Sequence, residues 1–196
     1  AEAPELWAEL AIQYDGSDRW YLEALGIGAD KQWDSFLNAY KNIVGEKIND
    51  KAGRDIVWRS RTGIALPLLA KNIGDNAISD SERLKYFRAF DFIDAPGKED
   101  ILLGLLDYSG HNRREIWFNA LNELTPSGLS KSFKMRSVLK ETLDSIKGTQ
   151  DFVTLLGKSK IKDYNNDLLQ ITLAMHASSL EREPANLQVG TGGQAT

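Results

Sequence analysis

The chain has 196 residues, of which 42% are hydrophobic, and it contains no cysteine. This length and composition suit a chain that buries a core and differ from those of a disordered chain. Without cysteine, disulfides, thiolate zinc sites and covalent haem attachment through Cys-x-x-Cys-His are excluded within these residues. The formal net charge of −4 disfavours a protein whose main partner is the nucleic acid backbone.

No apolar run approaches the ~18 residues that a membrane-spanning helix requires, and no charged-then-apolar signal segment opens the chain. The chain begins with Ala-Glu-Ala-Pro and ends in a glycine-rich segment, which fits an excised piece of a longer polypeptide or a processed chain, and the excised piece is favoured. Residues beyond Pro184 lack apolar periodicity. The sequence therefore predicts one domain over residues 1–183 and a disordered tail over residues 184–196.

Two segments of helical periodicity open the chain. The first has apolar residues at spacings of three and four and predicts a helix that ends at Asp15-Gly16. Asp18 suits the N-cap of a second helix, which is expected to stop near Gly26 and Gly28. The residues expected to face inward are Trp7, Leu10, Ala11 and Tyr14 in the first helix and Tyr21, Ala24 and Leu25 in the second. The two helices are predicted to form a hairpin.

The clearest amphipathic pattern comes next, and Asp30 is expected to cap it. Gly45 is the expected stop of this longer helix. Its inward residues are predicted to be Trp33, Phe36, Leu37, Tyr40 and Val44. A short helix around residues 54–59 is predicted after the polar turn at residues 49–51.

Residues 62–90 predict a helical hairpin with the features of a repeat. They resemble a HEAT repeat, in which the first helix carries an internal proline, an aspartate follows in the turn and an arginine lies early in the second helix. Pro67, Asp75 and Arg83 match these features by position. We expect Pro67 to bend the first helix, and we expect Asp75 and Arg83 to pair between neighbouring repeats.

A second hairpin follows at a similar spacing, since Asp107 lies 32 residues after Asp75. Its inward residues are predicted to be Ile101, Leu102, Leu105 and Leu106, and then Ile116, Trp117, Ala120, Leu121 and Leu124. Further helices are predicted over about residues 131–146, 150–157 and 164–180. No segment alternates apolar and polar residues around hairpin turns. The predicted fold class is all-α, an α-α superhelix of HEAT- or armadillo-like helical hairpins.

A wider resemblance rests on residues 13–29, Gln-Tyr-Asp-Gly-Ser-Asp-Arg-Trp-Tyr-Leu-Glu-Ala-Leu-Gly-Ile-Gly-Ala, and on residues 87–92. Residues 5–125 resemble the helical region of large bacterial exported proteins of the membrane-bound-dehydrogenase, haem-binding type. Such proteins join a sugar-dehydrogenase-like β-propeller, a HEAT-like region and a c-type cytochrome module. The resemblance implies a periplasmic or otherwise exported spacer or docking segment whose partners are protein domains of the same polypeptide. It implies haem in the full-length parent and no cofactor in this chain.

Residues 15–18, Asp-Gly-Ser-Asp, lack the alternating ligands and distal glutamate of an EF-hand, so a turn followed by a helix cap is favoured over a calcium site. An interaction patch is a further interpretation, because an arginine beside exposed aromatic residues is typical of binding hot spots. The patch consists of Asp15, Asp18, Arg19, Trp20 and Tyr21. Packing of Trp20 or Tyr21 in the core is favoured over that patch.

The remaining polar residues have structural interpretations, and no residue is predicted to be catalytic, cofactor-binding or metal-binding. His111 is expected to help cap a helix end, and His176 is expected to be partly buried and hydrogen-bonded. A set of C-terminal basic residues is interpreted as a solvated helix face, with an acidic or phosphate partner as the alternative. The set is Lys131, Lys134, Arg136, Lys140, Lys158, Lys160 and Lys162.

The sequence thus predicts a non-catalytic interaction or scaffold module within a larger exported redox protein. Two other functions stay open. One is an enzyme whose site is built from helix-end residues, which a polar pocket around His111 or His176 would favour. The other is a nucleic-acid-binding helical-repeat protein, which salt-sensitive retention on duplex DNA would favour.

Overall fold

The computed structural model describes residues 2–130 and 133–180, without the side chains of residues 130, 134 and 175–180. In this part of the chain it has eleven α-helices and no β-strand, so the predicted all-α fold class is confirmed. The helices are α1 (Glu2–Ala11), α2 (Arg19–Gly28), α3 (Trp33–Val44), α4 (Lys51–Arg59), α5 (Leu66–Ile73), α6 (Asp80–Ala89), α7 (Lys98–Leu105), α8 (Arg113–Glu123), α9 (Phe133–Ser145), α10 (Gln150–Ser159) and α11 (Asn165–Leu180).

The chain divides into two compact units, Ala1–Ser145 and Ile146–Thr196. The first unit contains α1 to α9, and the second contains α10 and α11. The single domain over residues 1–183 stays a prediction, and the predicted tail over residues 184–196 lies outside the described residues.

In the first unit, α1 to α8 form two rows. The first row consists of α1, α3, α5 and α7: α1 packs on α3, α3 contacts the 3-10 turn Gly63–Ala65 that leads into α5, and α5 packs on α7. The second row consists of α2, α4, α6 and α8, which contact one another in that order. Alternate helices along the chain therefore lie in the same row, which is the arrangement of stacked helical hairpins. The assignment to the HEAT or armadillo type stays a prediction.

Trp7 anchors the contact between α1 and α3. Its indole lies edge-on to the Trp33 ring, with the ring centres 5.7 Å apart, and packs against Phe36 at 5.4 Å. The indole N–H donates to the carbonyl oxygen of Leu25 in α2, 3.0 Å away. Because a buried indole needs a partner for its N–H, this single residue fixes α1 against both α3 and α2.

The ends of α2 and α3 test the helix caps that were predicted from the sequence. Asp18 is the N-cap of α2, as predicted, and Gly45 ends α3 with φ 54°. The predicted cap at Asp30 is wrong, because α3 begins three residues later with Gln32 at the N-cap, and the Gln32 side chain makes no cap hydrogen bond. Asp30 instead belongs to the turn that ends α2, where its N–H donates to the carbonyl oxygen of Ile27.

Pro67 lies near the start of a helix, whereas the sequence predicted that it would bend a helix internally. It lies in the first turn of α5, directly after the 3-10 turn Gly63–Ala65. The N–H groups of a first helical turn have no partner within the helix, so the missing N–H of proline breaks no hydrogen bond there. The predicted bend at Pro67 is therefore wrong.

The predicted offset of 32 residues reappears in the structure. The bounds of α5, Leu66–Ile73, and of α7, Lys98–Leu105, differ by 32 residues at both ends. The Tyr108 hydroxyl donates to Oδ1 of Asn76 over 2.7 Å, across the same interval. Successive hairpins therefore meet at equivalent positions, as stacked repeats require.

The second unit has a small core of its own. Thr149 caps α10 by accepting a hydrogen bond from the N–H of Phe152. The rings of Phe152 and Tyr164 are both buried and meet edge-on at 5.7 Å. Lys147 and Asp167 form an ion pair over 2.6 Å. No helix among the described residues is both long enough and apolar enough to cross a bilayer.

Candidate functional site

The acidic loop before α2 forms the predicted turn and helix cap. Oδ1 of Asp15 accepts hydrogen bonds from the hydroxyl of Ser17 at 2.6 Å and from its N–H at 2.8 Å, and these bonds lower the pKa of Asp15. Oδ1 of Asp18 accepts from the N–H groups of Trp20 and Tyr21 at 2.8 Å and 3.1 Å. Both carboxylates are thus bonded within the loop and the first turn of α2.

Tyr21 is half-buried at the junction of α1 and α2. Its ring is stacked on that of Tyr14, with centres 6.3 Å apart and an interplanar angle of 11°. Its hydroxyl donates to the carbonyl oxygen of Leu10 over 2.9 Å. Tyr21 therefore packs inward, as the sequence favoured, and not in an exposed patch.

Trp20 has the opposite environment. Its side chain is 82% exposed, so core packing of this residue is ruled out. Ala24 and Ile27 follow at spacings of four and three residues and are also exposed, Ile27 by 73%. These three residues form one apolar stripe on the face of α2 opposite its buried residues Leu22, Leu25 and Gly26. We call this stripe the α2 stripe.

Asp55 on α4 is a buried polar centre that the sequence analysis did not identify. Its side chain is 7% exposed and pairs with Lys51 at 2.8 Å and with Lys85 of α6 at 2.7 Å. The Tyr14 hydroxyl donates to Oδ2 of Asp55 over 3.2 Å, and Lys51 also donates to the carbonyl oxygen of Gly16. One carboxylate therefore joins the loop before α2 to α4 and α6.

The surroundings of Asp55 set the protonation of two groups. Burial alone would raise the pKa of Asp55, but hydrogen bonds and charge from Lys51 and Lys85 outweigh burial and lower it. Burial and then the charge of Asp55 raise the pKa of Tyr14 to about 12. At neutral pH Asp55 is thus an anion and Tyr14 a neutral hydrogen-bond donor.

Two further bridges join α4 to α6. The Nε–H of Arg54 donates to Glu82 over 3.4 Å and to the hydroxyl of Tyr86 over 3.2 Å, and that hydroxyl donates to Glu82 over 2.5 Å. The ammonium of Lys85 lies 4.2 Å from the centre of the Trp58 ring, a cation–π distance. These contacts join the middle helices of the second row.

Arg83 does not make the predicted pair with Asp75 between repeats. It is fully buried, and its guanidinium donates to the carbonyl oxygens of Ile73, Asp75 and Ile78, which follow or end α5 in the same hairpin. The carboxylate of Asp75 instead accepts from the N–H of Ala77 over 2.8 Å. Carbonyl oxygens at a helix C-terminus carry partial negative charge, so a buried guanidinium is stabilised there without a carboxylate.

Asp80 connects α6 to α8. The side-chain amide of Asn112 donates to Oδ1 of Asp80 over 3.3 Å. Burial and then the nearby charge of Asp80 raise the pKa of Glu115. The contact between these helices therefore places two carboxyl groups close together, which is unfavourable when both are ionised.

Replacing Glu115 by glutamine is expected to stabilise the protein at neutral pH by a few tenths of a kcal/mol, because it removes this repulsion. A carboxyl group with a raised pKa in the folded state lowers stability as pH rises from its unfolded pKa through its folded pKa. The gain measured by urea unfolding should therefore shrink as the pH is lowered toward 4, whereas Asp91→Asn, at an exposed position outside the α-helices, should give no such gain. A gain that does not vary with pH would contradict this account.

Clefts lie on the described part of the first unit. One of about 520 Å³ is lined by residues 30–35, Arg61 and Thr62, and there the Thr62 hydroxyl donates to Asp34. Another, of about 450 Å³, has Tyr14 and Tyr40 among its lining residues, and one of about 350 Å³ lies beside residues 94–99 and 123–125. His111 lines none of these clefts. In the cleft of about 520 Å³ Asp30 and Asp34 balance Lys31 and Arg61, so its charge favours no ligand class.

The two histidines do not form a shared site in the described part of the chain. His111 is exposed in the turn before α8, and it makes no hydrogen bond there, so its predicted role in capping is wrong. The side chain of His176 lies outside the described residues. No group of three or more His, Asp or Glu side chains among the described residues is arranged to hold a metal ion.

The predicted basic residues are only partly described. Arg136 and Lys140 are exposed on α9 of the first unit, and Lys160 and Lys162 are exposed in the second unit. Lys131 and the side chain of Lys134 lie outside the described residues. A shared basic surface across the two units stays a prediction.

Comparison of the chain with protein-family models, with curated proteins and with solved structures gives no match. The proposed relation to membrane-bound-dehydrogenase, haem-binding proteins thus stays a prediction from the sequence. The feature that bears on function is the α2 stripe, which lies on the first helix of the second row. Ion pairs and hydrogen bonds between side chains join the helices of that row.

Proposed function

We propose that this chain is a non-catalytic helical-repeat interaction module that docks protein domains through the α2 stripe. The observation that carries the proposal is the exposure of Trp20, 82% of whose side chain is accessible on a well-formed helix. Tryptophan contributes more binding energy than most residues when a partner covers it, and it is enriched at the centres of interfaces.

The α2 stripe is held in a defined orientation, which a docking surface requires. Asp18 caps the helix directly below Trp20, and Arg59 of α4 pairs with Glu23 over 2.9 Å. Lys51 binds the carbonyl oxygen of Gly16 in the preceding loop. A preorganised anchor loses little conformational entropy when it binds, so these bonds favour affinity.

The polar clusters also support a module without chemistry of its own. Asp55 is neutralised by two lysines, Glu82 is bonded to Arg54 and Tyr86, and Arg83 is bonded to carbonyl oxygens. Each of these groups joins elements of the fold. The bonds of these groups are thus explained by the contacts between helices, without a role in acid–base chemistry.

We further propose, from the resemblance of residues 13–29, that the module is a spacer or docking segment of a larger exported redox polypeptide. Its partner is then a domain of the same polypeptide, and haem or another redox group belongs to that parent. The sequence of the full-length gene product tests this part: flanking propeller and Cys-x-x-Cys-His segments support it, and their absence overturns it.

A photocrosslinking residue at position 20 tests the docking role directly. We expect Trp20→p-benzoyl-phenylalanine, introduced into the chain in the cells that produce it, to give a discrete crosslink to one protein segment. The matched control is the same replacement of Leu6, a 59% exposed residue of α1 in the first row, which is expected to give no discrete product. Equal crosslinking at the two positions, or none at position 20, would refute the docking role of the α2 stripe.

A further inference from the structure

The two rows of helices in the first unit carry opposite charge. The second row, α2, α4, α6 and α8, has nine basic and six acidic side chains, a net charge of +3. The first row, α1, α3, α5 and α7, has three basic and six acidic side chains, a net charge of −3. The helical residues of the second row are thus more basic than those of the first row, although the chain as a whole is acidic.

The basic excess of the second row is available at its surface. Its buried charges, Arg83 and Asp55, cancel, so the net charge without them is the same. Arg88 of α6 and Arg114 of α8 are exposed, and the Lys51 side chain is 63% exposed while it pairs with Asp55. α4, α6 and α8 thus carry exposed cations, which can steer and orient an anionic partner.

The α2 stripe borders this cationic surface. Glu23 lies between Trp20 and Ile27 along α2 and pairs with Arg59 of α4, so the stripe and α4 are neighbours. Leu84 of α6 is also partly exposed. The second row thus combines an apolar anchor at one end with cations along its length.

We infer that the docked partner is an acidic amphipathic protein segment, whose apolar side chains cover the α2 stripe and whose carboxylates meet the exposed cations of the second row. This inference rests on the proposed function and adds the chemical class of the partner. Charge complementarity carries it: apolar contact supplies affinity, and opposite charge selects the partner and sets its orientation. Duplex nucleic acid fits less well, because most protein contacts to it are polar and go to phosphate and sugar, which would leave the apolar α2 stripe largely without a matching surface.

A selection from a random peptide library displayed on phage, with the 196-residue chain as bait, tests the inference. Peptides that bind the chain but not its Trp20→Ala variant are expected to have net negative charge and apolar residues at helical spacing. The criterion for Trp20 dependence is that binding weakens at least tenfold in the Trp20→Ala variant, as expected for a tryptophan at the centre of an interface. A rise in NaCl from about 0.05 to 0.5 M should weaken it further, because it screens surface charge.

Charge reversal on the two rows provides the matched variants. Arg88→Glu combined with Arg114→Glu is expected to weaken the binding of the selected peptides about tenfold, because each reversal replaces attraction for an acidic peptide by repulsion. Lys71→Glu lies at an exposed position of α5 in the first row and should leave binding unchanged. Neither Arg88 nor Arg114 takes part in the bridges between helices described above, so the double variant is expected to fold.

The outcomes separate this inference from the proposed function. Trp20-dependent peptides with neutral or basic charge, or an equal loss with Lys71→Glu, would overturn the acidic partner and leave the docking role intact. The absence of any Trp20-dependent peptide would overturn both. Retention of a duplex DNA oligonucleotide that weakens in the double arginine variant and not in Trp20→Ala would replace the acidic protein by a nucleic acid.

Discussion

Replacing Arg83 by methionine is expected to lower the free energy of unfolding by about 3 to 5 kcal/mol, the largest loss we expect from a single substitution in this chain. The Arg83 side chain is fully buried, and its guanidinium donates to three carbonyl oxygens around the end of α5. Methionine fills similar space but donates nothing, so the buried carbonyl oxygens of Ile73 and Ile78 lose the hydrogen bonds that Arg83 makes to them.

Urea unfolding followed by tryptophan fluorescence measures this loss. Arg88→Met on the same helix is the control, because Arg88 is exposed and should change the free energy of unfolding by less than about 0.5 kcal/mol. Arg83→Lys should fall between the two, since an ammonium keeps the charge but cannot span three acceptors with a planar fork. A loss in Arg83→Met no larger than that in Arg88→Met would show that the carbonyl contacts do not stabilise the hairpin.

Arg83 also shows where sequence reasoning succeeds and where it stops. Its position early in the second helix of a hairpin was predicted from the repeat-like pattern, and the structure places it there. Its partners were not predicted, because carbonyl oxygens at the end of a helix are present in any sequence and leave no residue-specific signal. The aspartate that seemed the natural partner is used by its own turn.

Two residues of the hairpin formed by α1 and α2 show a second limit of predicting burial from helical periodicity. Leu10 and Ala24 were predicted to face inward but are exposed, while Trp7 and Leu25 are buried as predicted. Spacings of three and four identify a broad apolar face, and tertiary neighbours decide which part of that face is covered. An apolar residue left outside, such as Trp20, is therefore visible only once the neighbours of α2 are known.

Asp55 could not be found from the sequence for a different reason. Lys51 is four residues away on the same helix, a common surface spacing, but Tyr14 and Lys85 are 41 and 30 residues away. Nothing in the local pattern distinguishes this aspartate from the other acidic residues of the chain. Only the stacking of α4 on α6 and on the loop before α2 brings the four side chains together.

Asp55→Asn is expected to lower the free energy of unfolding by about 2 to 3 kcal/mol at pH 7, because it leaves Lys51 and Lys85 next to a group without charge. The loss should be smaller than that of Arg83→Met, since both lysines reach solvent and retain part of their hydration. Asp91→Asn is the control, because Asp91 is exposed in the 3-10 turn after α6.

The pH dependence of the free energy of unfolding tests whether the charge of Asp55 is responsible for the stability that it contributes. The pKa of Asp55 is lower in the folded protein than in the unfolded chain, so the unfolded chain binds the proton first as pH falls. The stability that Asp55 contributes is therefore complete above its unfolded pKa of about 4 and is lost as pH falls through its folded pKa. The difference in free energy of unfolding between the native protein and Asp55→Asn should shrink as pH falls below the unfolded pKa of about 4. If the difference stays constant as pH is lowered, the charge of Asp55 does not account for the stability lost in Asp55→Asn.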